Sequence, residues 1–172
     1  MPNHLSILGI IHTAISILAI FAALYALLRD GKISPSNGRG KLYVLLTVIT
    51  CITGLPIMRT GHPTAGHSLA VIILIVLPIA YFATSFKFLG KSAAYLQVFL
   101  MSLTLFFSFI PAVVETLTRL PISHPVADGP NSPIIQMGLL TLVVLFTVGV
   151  LYQLIKLYQR QKHTSGPTID LA

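Results

Sequence analysis

Residues 93–117 read AAYLQVFLMSLTLFFSFIPAVVETL, and the only charge among them is Glu115. A helix needs roughly 17–25 mostly apolar residues to cross about 30 Å of bilayer hydrocarbon. This stretch meets that requirement, and its polar residues are ordered. Gln97, Met101, Thr104, Ser108, Pro111 and Glu115 follow one another at separations of 4, 3, 4, 3 and 4. Such spacing places them on a single helical face. The expectation is a transmembrane helix with a polar seam of Gln97, Thr104, Ser108 and Glu115. The seam can serve as a bundle-facing surface with interhelical hydrogen bonds. It can also serve as a hydrated or proton-conducting stripe.

Four further apolar runs lie outside this one, at about 5–28, 42–58, 68–86 and 134–158. The second is short, roughly 25 Å at 1.5 Å per residue. Polar or Gly- and Pro-rich breaks separate the runs: RDGKISPSNGRGK, RTGHPTAGH, KFLGKS and TRLPISHPVADGPNSP. The runs are continuous, without the alternation of β-barrel strands. The fold expected is therefore all-α, a transmembrane helical bundle of five spans. Residues 1–163 form one bundle and 164–172 a flexible tail. The first run lacks a basic stretch before it and is longer than a signal-peptide core, so it reads as a retained helix.

Composition agrees. Of 172 residues, 55% are hydrophobic and 9% charged, against roughly 25% charged in soluble domains. One cysteine, Cys51, excludes a disulfide scaffold. The formal charge of +7 is spread over membrane-flanking loops, which argues against nucleic acid as a partner. Arg29, Lys32, Arg39, Lys41, Lys87, Lys91, Lys156, Arg160 and Lys162 fall on one side, and Arg59 and Arg119 on the other. Basic loops stay in the cytoplasm, so the N-terminus is expected outside and the C-terminus inside. Small residues mark packed faces between helices in lipid. Ala19/Ala23 and Ala22/Ala26 do so in the first run, and Thr47, Thr50, Cys51 and Gly54 in the second.

Five of six histidines (His4, His12, His62, His67 and His124) fall on the expected outer side, with Glu115, Arg119 and Asp128. Imidazole is a common ligand of haem iron and of transition metals. His12 and His67 are the candidate haem b ligands. His12, His67 and Glu115 are the candidate transition-metal set. Structural readings stand beside these: a His12 imidazole bonded to a neighbouring helix, and a Glu115–Arg119 pair one turn apart. No H-E-x-x-H, C-x-x-C-H, G-x-S-x-G or phosphate-loop motif occurs.

The segment RDGKISPSNGRGKLYVLLTVITCITGL, residues 29–55, resembles a group of small bacterial predicted multi-pass membrane proteins of unknown function. The pattern is a short basic loop followed by G-[RK]-x-Y-V, here Gly40, Lys41, Leu42, Tyr43 and Val44. A histidine common in that group four residues before the glycine is Ser36 here. The resemblance implies a bacterial cytoplasmic membrane location and carries no activity. The function expected is that of a non-catalytic accessory or assembly protein, whose partners are the bilayer and a membrane protein or a second copy. The alternatives are a haem- or metal-binding redox protein and a small channel or transporter.

Overall fold

The computed structural model describes residues 6–58 and 61–164, and among these every regular element is helical. In chain order they are α1 (Ile7–Asp30), α2 (Gly38–Gly54), α3 (Ala65–Phe82), α4 (Ser92–Arg119) and α5 (Pro133–Thr164). Two short 3-10 turns, Ala83–Ser85 and Lys87–Leu89, join α3 to α4. The expected tail beyond residue 164, together with His4 and Arg59, lies outside the described residues.

Four segments are long and apolar enough to cross a membrane: Ile7–Asp30, Ala65–Ser85, Ser92–Arg119 and Pro133–His163. The second helix has 17 residues and begins four positions earlier than its apolar run, because Asn37 caps it. The Asn37 side chain accepts from the Gly40 amide at 2.8 Å, one of the donors a helix start leaves without a partner. Ser6 does the same for α1 through the Gly9 amide, at 3.1 Å. At the far end of α1, Gly31 takes the left-handed conformation, φ 70°, and its N–H returns to the Leu27 carbonyl. Glycine adopts that geometry without steric penalty.

Helices α1 to α4 pack in sequence, α1 on α2, α2 on α3 and α3 on α4, and α1 also meets α4. The result is a closed four-helix arrangement in which α1 and α3 sit on one diagonal and α2 and α4 on the other. Helix α5 lies outside, against α4. The alanines expected to mark a packed face, Ala19, Ala22, Ala23 and Ala26, are all buried. With Ile33, Tyr43, Leu77, Ala80, Met101 and Leu105 they form the core. Large apolar side chains face outward instead: Phe21 is 63% exposed, Leu28 86% and Leu145 65%. A soluble protein rarely presents so much contiguous apolar surface, whereas lipid solvates it.

The loop between α1 and α2 is tightly built. Asp30 receives Arg39 Nη2 on Oδ1 at 2.6 Å, and Arg39 Nε and Asn37 Nδ2 on Oδ2 at 3.0 and 2.8 Å. Ile33 turns inward and is buried beneath it. Gly40 touches the Ser34 carbonyl so closely that a Cβ there would stand 1.8 Å from the oxygen.

Candidate functional site

The seam of α4 faces inward over most of its length. Gln97, Met101 and Thr104 are buried, Ser108 and Pro111 half-buried, and Glu115 exposed. Its polar groups are engaged within the chain. Gln97 Nε2 donates to the Ala80 carbonyl at 3.2 Å and lies 3.4 Å from that of Tyr81. These are among the last carbonyls of α3, which have no partner in their own helix. Thr104 Oγ1 donates to the Met101 carbonyl at 2.8 Å, and Ser108 Oγ to that of Thr104 at 2.9 Å. Since the Thr104 proton is spent on Met101, the Tyr43 phenol is the donor in its 2.9 Å bond to Thr104 Oγ1. Tyr43 stands on α2 and Thr104 on α4, so this bond crosses the centre of the four-helix arrangement. The Thr47 and Ser108 hydroxyls lie beside the same phenol.

Most half-buried or buried helical hydroxyls bond the carbonyl three or four residues back, as Thr53, Thr104, Ser108 and Thr118 do. Hydroxyls commonly behave so in membrane helices. Thr47 and Thr50 depart from the pattern: their Oγ1 atoms are buried without a hydrogen-bond partner. Cys51 is buried on the same helix.

His12 packs against α2. Its Nδ1 donates to the Thr50 carbonyl at 3.0 Å and stands 3.3 Å from Thr53 Oγ1. Gly54 makes room for the ring, since a Cβ there would lie 2.9 Å from His12 Cε1. The Glu115 carboxylate is within electrostatic reach of this imidazole, yet its direct partner is Arg119, one turn along α4.

His67 is placed differently. Its Nδ1 accepts the Thr64 N–H at 3.0 Å and also contacts Thr64 Oγ1 at 3.0 Å. It thereby closes a capping box at the start of α3. Accepting at Nδ1 leaves the neutral ring's proton on Nε2, which is buried without a partner.

The expected meeting of His12, His67 and Glu115 therefore does not occur as a group. His12 and His67 stand on diagonal helices, and among the described residues no three His, Cys, Asp or Glu side chains gather to hold a metal ion. His12 retains a free Nε2, but His67 is committed to its cap and presents a donor rather than a lone pair. The residues present do not fit a haem or metal centre. His62 and His124 lie on the exposed loops and do not cap such a site.

Two further polar contacts, neither expected from sequence, join α4 to α5. Ser102 and Gln153 are buried and bonded to each other, with oxygen–oxygen and nitrogen–oxygen distances of 3.3 and 3.2 Å. Tyr95 donates to Gln161 Oε1 at 3.0 Å. A lone amide such as Gln153 in an apolar run is the signal that marks the first of these.

No family model, curated protein or solved structure matches the chain.

Proposed function

We propose that the protein is a five-span integral membrane protein of the bacterial cytoplasmic membrane that acts as a non-catalytic accessory or assembly component. The observation that carries this reading is the use made of the interior polar groups. Gln97 caps the end of α3, Tyr43 bonds Thr104, Ser102 bonds Gln153 and His12 bonds the Thr50 carbonyl. Groups spent on holding helices together are not poised for chemistry.

The fifth crossing rests on α2. Its C-terminal Gly54 reaches His12, and its N-terminal end is tied to Asp30 through Arg39. It thus runs antiparallel beside α1 over all but the first ~8 Å of that helix, at 1.5 Å per residue. If α1 crosses the bilayer, α2 traverses most of the same thickness. The excess of Lys and Arg at one end supports an outer N-terminus and a cytoplasmic C-terminus.

Labelling of introduced thiols tests the threading, in a Cys51→Ala background. Ser36→Cys is expected to react only from the cytoplasmic side, and Ser123→Cys only from outside. Reaction of Ser36→Cys from outside overturns the orientation. The non-catalytic role is tested on purified protein. A Soret band, stoichiometric metal, or an ion flux in liposomes that Glu115→Gln abolishes overturns it. Colourless protein without flux, crosslinked in intact membranes to one reproducible membrane-protein partner, supports it.

A further inference from the structure

The end of α1 and the last third of α5 meet at the basic end of the bundle. Helix α5 otherwise packs along α4, but Lys156 reaches Gly31, and a Cβ on that glycine would sit 3.5 Å from Lys156 Nζ. The ammonium is held from below by Tyr152, one turn earlier. Nζ lies 3.4 Å from the phenol oxygen and 5.5 Å from the ring centroid. Arg29 and Lys32 flank Gly31 in the chain, so their backbones stand within about 4–7 Å of it. Lys156 thus reaches a residue that has no side chain of its own, with Lys32 next in the chain and Arg29 two positions before it.

Asp30 lies within electrostatic reach of Arg29, but among the described residues no carboxylate pairs directly with Arg29, Lys32 or Lys156. Asp30 is the acid nearest in sequence, and both its oxygens are taken by Arg39 and Asn37. The ion pairs among the described residues are Asp30–Arg39 and Glu115–Arg119, so Arg29, Lys32 and Lys156 enter none. Below Lys156 on the same face of α5, at four, eight and eleven residues back, Tyr152, Val148 and Leu145 are more than half exposed. An ammonium held above an exposed apolar face, in a basic segment of the chain, matches a molecule with an anionic head and acyl chains. Basic pockets between helices at the cytoplasmic face recognise such lipids.

We propose that the notch at Gly31, between the end of α1 and α5, binds an anionic phospholipid. Lys156, with Lys32 next to Gly31 in the chain, takes the phosphate headgroup, and Tyr152, Val148 and Leu145 take an acyl chain. This rests on the membrane reading above but not on the orientation or the five-span count. Membrane fractionation of the same preparation tests that reading separately.

The test is native mass spectrometry of the detergent-solubilised full chain, with phosphatidylglycerol and phosphatidylcholine of matched acyl chains. The wild-type protein is expected to retain phosphatidylglycerol preferentially. Lys156→Gln is expected to reduce that retention about fivefold, the effect of one basic group near an anionic surface. Lys156→Arg should preserve it, and Arg119→Gln, at the opposite end, should leave it unchanged. Gly31→Asn keeps a residue that tolerates the left-handed backbone and fills the notch, so it should also lower retention. This variant decides the matter if Lys156→Gln fails to fold. Equal retention of the two lipids overturns the proposal, as does retention unchanged in both Lys156→Gln and Gly31→Asn. Displacement of the lipid by inorganic phosphate alone, or by a polyglutamate peptide, also overturns it, by assigning the notch to a free anion or to an acidic protein.

Discussion

The Tyr43 phenol on α2 donates to Thr104 Oγ1 on α4 at 2.9 Å, joining two helices on opposite sides of the bundle across 61 residues of sequence. The bond is asymmetric in what its loss exposes. Tyr43→Phe removes a donor and leaves Thr104 still bonded to the Met101 carbonyl. Thr104→Val strands a phenol proton in a fully buried position, relieved in part by the Thr47 and Ser108 hydroxyls beside it. A buried group left without its partner pays its desolvation cost, whereas a group that keeps another bond loses less. Thr104→Val is therefore expected to cost about 1–2 kcal/mol and Tyr43→Phe about 0.5–1 kcal/mol, near the range for interhelical bonds in membranes. Unfolding in mixed detergent micelles measures both, and the reverse order would contradict the assigned donor.

Thr47 gives the opposite expectation. Its hydroxyl is buried without a partner, and valine has the same shape without the polar atom. Replacing an unsatisfied buried polar group by an apolar isostere is neutral or stabilising. Thr47→Val should leave stability unchanged or raise it by about 1 kcal/mol. A loss of that size in the same unfolding assay would mean the hydroxyl is engaged in the membrane.

Gly40 and Gly38 begin the same helix and differ in their surroundings. A Cβ on Gly40 would stand 1.8 Å from the Ser34 carbonyl oxygen, whereas one on Gly38 meets nothing within 4 Å. Gly40→Ala must push the loop away from α2, breaking the Asp30–Asn37–Arg39 arrangement, at a cost of about 2 kcal/mol or more. Gly38→Ala should be neutral or stabilising by up to about 1 kcal/mol, because alanine restricts the unfolded chain. Thermal unfolding of the two variants side by side checks the contrast.

His67 is read as a cap, and that makes a discriminating substitution available. Gln at the third helical position supplies the same acceptor that a capping box uses. His67→Gln should keep the start of α3, while His67→Ala should lose about 0.5–2 kcal/mol. Amide hydrogen exchange over residues 64–69 reads the difference directly. Equal protection in both variants would remove the capping role.

The helices were legible because hydropathy and length fix them almost alone. The seam of α4 was legible for a related reason: its spacing names a face before any partner is known, and Gln97, Met101 and Thr104 are indeed buried. That His12, His67 and Glu115 do not converge was not legible. Depth along a helix follows from residue count, but side-chain partners do not: His67 turns to its own cap and Glu115 to Arg119. Ser102 escaped notice because it lies one position off the seam, on the side of α4 that meets α5. The loop of residues 31–37 read as a polar break, since nothing local reveals that Asp30 and Arg39 will face each other once α2 folds back along α1.

The placement of α5 bears on how the protein is made. Chains emerge N-terminus first, and α1 to α4 complete their mutual packing without the last helix. Until α5 arrives, Ser102 has no side-chain partner and the Phe99–Phe106 flank of α4 meets lipid rather than Phe146. The Gln153 amide also donates to the Gly149 carbonyl of its own helix at 3.2 Å, so before α5 docks it is the amide oxygen that awaits Ser102. The last helix is therefore an addition to a ring whose other contacts do not involve it, joined to α4 through Ser102–Gln153 and Tyr95–Gln161.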